Sequence, residues 1–253
     1  MDCPKCRADL SATAAECPSC GIIIGKYRER EEPIPDHVQG DARDWGSMPD
    51  ASSEEGDLAA GLRGVEPTTS MAAAIGRGLF LLVLAVLTTT LVGAVNAERV
   101  NGSLLHLPNL VFHEAGHILF MPLGRFMTVL GGSLTQVLVP LVCAGTFLWQ
   151  TRDPFGAAVA IWWAGENLID VAPYINDARD LKMVLLGGKT GAEVEGHDWE
   201  YLLNAMGVAH KDHAIAGVVQ AIGTLTLIAG LLWGAIVVLT QINVLRRRRR
   251  TSL

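Results

Sequence analysis

Four apolar stretches dominate this sequence: Leu79–Val95, Ser133–Trp149, Phe155–Ile175 and Ala214–Ile242. As helices rising about 1.5 Å per residue, each covers most or all of a hydrocarbon layer about 30 Å thick. Half of the residues are hydrophobic and mean hydropathy is +0.31, which excludes a disordered chain and predicts an all-α helix bundle in a bilayer. A fifth stretch, Leu104–Leu123, is borderline because it contains His106, Pro108, His113, Glu114, His117 and Pro122. Such a segment is costly against lipid and belongs inside protein or beside water. The expected body is therefore a membrane helix bundle over 71–245, of four to five membrane segments, one of them open to a re-entrant path.

The start of the chain has a different chemistry. Cys3, Cys6, Cys17 and Cys20 form two Cys-x-x-Cys knuckles, CPKC and CPSC, with Gly21 after the second. Four thiolates so spaced suit one tetrahedral zinc better than redox chemistry or a disulfide pair. Metal ligation contributes on the order of 10 kcal/mol in small zinc peptides, which a segment too short for a core requires. Residues 1–26 are read as a small four-cysteine domain that resembles the zinc ribbons, with a structural Zn2+ and a cytosolic protein partner as its expected uses. No basic face is evident, so nucleic acid is not expected. Because the knuckle begins at Cys3, no secretory signal is expected ahead of it. Residues 27–70 follow as an acidic, flexible linker, opened by a short helix over KYREREE, with Trp45 and Met48 as isolated apolar residues.

The run Arg246–Arg250 after the last apolar stretch marks a cytoplasmic end under the positive-inside rule, and 246–253 are read as a basic tail. Reduced thiols place the ribbon on the same side. With both ends cytosolic the number of full crossings is even. Either Leu104–Leu123 enters and leaves on one side, or the Gly-rich RFMTVLGGS makes such an excursion. The segment from Asn176 to Asp212, acidic and amphipathic, is expected to fold over one mouth of the bundle.

Chemistry concentrates in the borderline segment. His113-Glu114-Ala115-Gly116-His117 is an H-E-x-x-H. Four residues advance a helix by about 6 Å and little more than a turn, so both imidazoles share one face and can take adjacent corners of a zinc tetrahedron. Glu114 points to the neighbouring edge, where a carboxylate can accept a proton from water. A third protein ligand is needed, with the fourth place left for water. Glu166 and Asp170, at i and i+4, share one helix face with Asn167 beside them, and Pro173 is expected to interrupt that helix and aim Asn176 and Asp177 into the interior or the interface. Carboxylates that do not ligate are available to orient the imidazoles.

With these motifs in view, the chain resembles the site-2 protease-like intramembrane zinc metalloproteases from Leu79 to Asp180, most specifically at the H-E-x-x-H. The resemblance implies His113 and His117 as metal ligands, Glu114 as catalytic base, and a later element matched by Asn167, Pro173 and Asp177. It departs from the family where Ala178, rather than glycine, follows Asp177. Glu166-x-x-x-Asp170 also resembles the Glu-zincin pattern. Asp170 and Asp177 stand level as third ligand, Glu166 behind them, and Asn167 is placed in a supporting role. Thr128 to Gly132 is considered as an edge strand for substrate, Gly131-Gly132 as a turn or a close helix approach. Arg125 is expected to reach a headgroup, His106 to be interfacial because Pro108 keeps it off the helical face of His113 seven residues on, the Trp162-Trp163 pair to pack in the bundle or anchor it, and His197, His210 and His213 to face solvent or cap helices.

The leading expectation is a zinc-dependent membrane metalloprotease that cleaves a peptide or membrane-protein substrate in or near the lipid bilayer, with one structural and one catalytic Zn2+. The alternative is a non-catalytic membrane adaptor with a protein-binding ribbon and a structural intramembrane metal. Metal transport fits less well, because the first and last apolar stretches offer only Thr and Gln as polar groups.

Overall fold

The computed structural model describes residues 3, 8–11, 14–20, 70–93 and 95–251. The chain forms two compact units, Met1–Asp50 and Ala51–Leu253. The expected linker and its KYREREE helix, together with Cys6, Trp45 and Met48, lie outside the described residues. In the first unit Cys3, Leu10 and Cys17 are buried together, with Ala8, Ala14 and Cys20 packed against them. The Cys3 amide donates to the Ala8 carbonyl at 2.8 Å.

Seven α-helices are seen among the described residues of the second unit, and no strand. Helix α1 (Met71–Leu91) starts at Ser70, whose hydroxyl accepts from the Ala73 amide. The short α2 (Ala97–Asn101) leads to α3 (His106–Phe120), which tightens into a 3-10 turn over Met121–Leu123. Helices α4 (Arg125–Trp149) and α5 (Pro154–Asn176) are joined by a sharp turn, where Asp153 caps α5 and Pro154 occupies a first-turn position that needs no donor. Helix α6 (Asp198–Ala205) is short, and α7 (Asp212–Thr251) is the longest at 40 residues.

Helix α5 is the axis of the bundle. Its small residues Ala157, Ala158, Ala164 and Ala172 are almost fully buried, which lets α4 and α7 pack closely around it. The contacts fix the helix directions. Arg77 of α1 lies 3.8 Å from Asp153 at the start of α5, and Thr88 accepts a hydrogen bond from Trp162 Nε1, so α1 and α5 run the same way. Helix α7 runs against both: Val238 packs near Gly78 and Phe155, Gly223 meets Gly165, and Gln220 reaches the Gly93 carbonyl. Helix α4 also opposes α5, from Phe147 beside Gly156 to Gln136 beside Asp170. Four long helices thus alternate in direction. The starts of α1 and α5 share an end with the arginine run.

Three helices are long and apolar enough to cross a membrane: Met71–Leu91, Arg125–Trp149 and the segment Ala209–Arg250 that contains α7. Helix α5 is long enough at 23 residues but carries Glu166, Asn167 and Asp170 at its centre. Helix α3, at 15 residues, is shorter than a crossing requires. Surface and interior are inverted relative to a water-soluble domain. Val218, Leu225, Leu232 and Leu239, spaced by seven along α7, are exposed, while Asn109, Gln136, Glu166, Asn167 and Asp170 are buried. That distribution is consistent with a membrane protein.

Three local expectations are corrected. Pro173 does not interrupt α5, which continues to Asn176. A proline one turn from a helix end forfeits few hydrogen bonds, so the helix runs through to Asp177, which caps it and is itself buried. Thr128 to Gly132 is helical, not an edge strand. Pro108 does not separate His106 from His113, because α3 begins at His106 and the proline falls in the first turn, where its missing N–H is unneeded.

The closest helix contact joins α3 to α4. A Cβ on Gly116 would strike the Gly131 carbonyl oxygen, and one on Gly131 would lie 2.6 Å from the Gly116 carbonyl oxygen. Of the readings open for Gly131-Gly132, close helix approach is the one observed. Adding branched carbons at this crossing forces the helices apart, a change that costs about 1–3 kcal/mol in packed interiors. Gly116→Val is therefore expected to lower the thermal unfolding midpoint in detergent by several degrees, whereas Gly76→Ala, with nothing within 4 Å of the new carbon, leaves it nearly unchanged.

Candidate metal centre

His113 and His117 lie one turn apart on α3, with ring centroids 4.8 Å apart. Gly132 of α4 makes room for them: a Cβ there would sit 2.6 Å from His113 Nε2 and 2.7 Å from His117 Cε1. The hydrogen bonds then orient the rings. Gln136 Nε2 donates to Asp170 Oδ2 at 3.0 Å, which turns Gln136 Oε1 toward His113 Nδ1 at 2.8 Å. His117 Nδ1 faces the Thr128 carbonyl oxygen at 2.9 Å. Both partners are acceptors, so each Nδ1 carries the proton and each Nε2 presents a lone pair.

Those two lone pairs face Asp198. Its Oδ2 lies 2.9 Å from His113 Nε2 and 3.3 Å from His117 Nε2. The three side chains offer ligand atoms all within 4.8 Å of one another. Three acceptors converging in a half-buried site repel one another unless a cation lies among them. Nitrogen and oxygen ligands at about 2.0–2.1 Å from a tetrahedral zinc are about 3.3 Å apart. The donor set and the spacing fit such an ion.

Asp198 reaches this position because α6 is docked from several sides. The Tyr174 hydroxyl accepts from the Asp198 amide at 2.9 Å, Trp199 Nε1 donates to Ser133 Oγ at 3.1 Å, and Arg125 stacks over the Tyr201 ring at 4.6 Å. Arg125 therefore has a protein partner where a headgroup was expected. His197 caps the helix by accepting from the Glu200 amide. It is buried rather than solvent-facing, while His210 and His213 are exposed.

The acidic residues expected as third ligands are placed elsewhere. Asp170 accepts from Gln136 and pairs with His106 Nδ1 at 2.8 Å, so it acts on His113 through Gln136. The Asp177 carboxylate accepts from the Lys182 and Met183 amides and lies 3.4 Å from His197 Nε2. It fixes the turn that follows α5. Glu166 accepts from Asn109 Nδ2, and Asn109 Oδ1 accepts from Trp163 Nε1. Asn167 Nδ2 donates to the Trp163 carbonyl, while its buried Oδ1 has no hydrogen-bond partner among the described residues. Trp162 packs in the bundle core. His106, expected to be interfacial, lines the same cavity as the histidine pair.

That cavity has a volume of about 830 Å3. His106, His113, Glu114 and His117 of α3 form one side, Asp170 and Tyr174 of α5 another, and 183–188 with 194–196 the cover. The cover is a small hairpin, bridged between Val184 and Thr190 and turned through Gly187 and Gly188, both at positive φ. Glu114 makes no hydrogen bond among the described residues, is exposed, and is one of the residues that line the cavity.

Protein-family models, characterised proteins and solved structures give no match to this chain.

In the first unit, Cys3, Cys17 and Cys20 also offer ligand atoms within 4.8 Å of one another and could hold a metal ion. The sulfurs of Cys3 and Cys20 are 3.7 Å apart. This is far beyond a disulfide bond of about 2.05 Å and close to the edge, about 3.8 Å, of a tetrahedron with Zn–S of about 2.3 Å.

These assignments separate on mutation. Asp198→Ala is expected to lower bound zinc in the purified chain from about two ions to about one, read by elemental analysis, while Asp177→Ala leaves two. Gln136→Leu, which removes the oxygen holding His113 Nδ1, is expected to weaken the second zinc about 10- to 100-fold in a competition titration with a chelator.

Proposed function

We propose that the chain is a zinc-dependent membrane metalloprotease that hydrolyses a peptide bond in or near the bilayer. The observation that carries this reading is the convergence of His113 Nε2, His117 Nε2 and Asp198 Oδ2 beside an unpaired Glu114 carboxylate on one cavity. A purely structural metal requires the three ligands. It does not require a free carboxylate next to the first of them, on the lining of a cavity large enough for a peptide segment.

Zinc, when held by these residues, would supply Lewis-acid polarisation of a carbonyl and make water acidic near neutral pH. The chain's own groups do the rest. Glu114 accepts the proton as the water oxygen bonds to the carbonyl carbon, and delivers it to the amide nitrogen as the C–N bond breaks. Gln136 and the Thr128 carbonyl fix the tautomers, and Asp170 fixes Gln136. The aliphatic cover at 183–186 limits water entry and gives apolar substrate side chains a surface to rest on.

The bundle then has four through-going helices, α1, α4, α5 and α7, with α3 entering and leaving on one side as a re-entrant fifth segment. Helix α5 crosses despite its polar centre because its neighbours bury it. An even number of crossings leaves the arginine tail and the segment preceding α1 together on the cytoplasmic side, where the cysteine domain would bind a protein partner. The adaptor reading keeps the cysteine domain but gives no role to Glu114.

The deciding experiment compares wild type with Glu114→Gln. Both are expected to retain about two zinc ions per chain. Only wild type is expected to cleave co-expressed membrane proteins, because loss of a general base costs about 100-fold or more in rate. Equal cleavage by the two would remove the catalytic assignment.

A further inference from the structure

We infer that the His113–His117–Asp198 centre opens on the extracytoplasmic face of the membrane, so that its substrates are the outward-facing stubs of membrane-anchored polypeptides. The inference rests on the protease reading for the word substrate, but its geometry stands independently of that reading.

Two ends of the bundle can be told apart. At one, Arg77 meets Asp153, Phe155 packs on Val237 and Val238, and α7 runs on into Arg246–Arg250. At the other, α5 ends at Asn176, Arg179 pairs with Asp212 at 2.6 Å, and α7 begins. The metal cluster belongs to the second end. Tyr174, whose hydroxyl holds the Asp198 amide, follows Asp153 by 21 residues in an unbroken helix, or about 30 Å at about 1.5 Å per residue. That is about the full thickness of the hydrocarbon layer. The cavity, its hairpin cover and α6 therefore lie across the bilayer from the arginines.

Charge sets the orientation. Arg77, Arg152 and the five arginines of 246–250 crowd the first end beside a tight turn. At the second end the Lys and Arg residues, Arg99, Arg125, Arg179, Lys182, Lys189 and Lys211, are scattered along the connections and form no run, and the four in 177–212 lie among seven carboxylates. Clustered arginines at the ends of spanning helices stay in the cytoplasm. The acidic end with the cavity must then face outward. Its aliphatic cover, Met183, Val184, Leu185 and Leu186, lies where a chain emerging from the bilayer would pass.

Thiol labelling tests the assignment without any measure of turnover. Lys189, exposed on the hairpin, and Gln150, exposed in the α4–α5 turn, are each replaced by cysteine in the full-length chain. Intact cells are treated with a membrane-impermeant maleimide, with the unsubstituted chain as baseline. Lys189→Cys is expected to label several-fold above baseline, Gln150→Cys not above it. A fluorescent protein fused after Leu253, of a type that matures only in the cytoplasm, is expected to fluoresce. Labelling of Gln150→Cys with Lys189→Cys silent, labelling of both or of neither, or a dark fusion would overturn the inference. If Lys189→Cys does not accumulate, Glu193→Cys on the same hairpin replaces it. In cells co-expressing single-span proteins tagged at both ends, the outward tag is expected to be shed in a Glu114-dependent manner. Release of the inward tag instead would refute the substrate class. Failure of Glu114→Gln to change cleavage would remove the protease reading while leaving the labelling result intact.

Discussion

Backbone-to-backbone contact between α3 and α4 is the constraint on which the site depends. Two imidazoles need space between a pair of helices, yet their Nδ1 atoms must also reach acceptors on the partner helix. Both conditions hold only where the partner carries no Cβ. Gly132 supplies the space, Gly116 and Gly131 set the approach, and Thr128 and Gln136, one turn to either side, supply the acceptors. A larger side chain at any of these three glycines would separate the rings from the oxygens that orient them.

Around this crossing the bundle arranges polar groups by depth. Helix α5 carries Glu166, Asn167 and Asp170 on buried surface, and each has a defined neighbour: Asn109, the Trp163 carbonyl, and the pair His106 and Gln136. Polar groups removed from water are retained where partners satisfy them, and a network of this kind rigidifies the interior that contains it. The Asp170–Gln136–His113 chain is where that rigidity reaches the candidate metal ligands.

How much of this could be read in advance follows from how local each signal is. The histidine pair and Glu114 were legible because a five-residue motif fixes their common face through helix geometry alone. The importance of α5 was also legible, since three polar residues in an apolar run require partners. Which partners they meet was not: spacing by four puts Glu166 and Asp170 on one face without saying what that face touches. Asp198 lies 85 residues from His113 in a segment read only as acidic, amphipathic and covering one mouth of the bundle. Its signal was weak but present, in His197-Asp198 ahead of the tryptophan and tyrosine that dock the helix. The prolines misled for a single reason. Their effect depends on position within a helix, and Pro108 and Pro173 fall in the first and last turns, where a missing donor matters least.

The third candidate ligand, Asp198, arrives on a helix of only eight residues, held by one tyrosine hydroxyl, one indole N–H and one stacked guanidinium. Its Leu202 and Leu203 are fully buried, and Leu203 packs with Val171, Ile175 and Ala216, so the seating of this helix is part of the packing of the bundle. Were a metal held at this centre, seating α6 and completing its coordination would be one equilibrium viewed from two sides, so whatever tightens the first would raise ion affinity by the same free energy. A polypeptide that wedges between the hairpin and α5 would loosen the ion, and one that clasps α6 would retain it. Occupancy of the centre thereby becomes a gauge of what sits in the mouth above it.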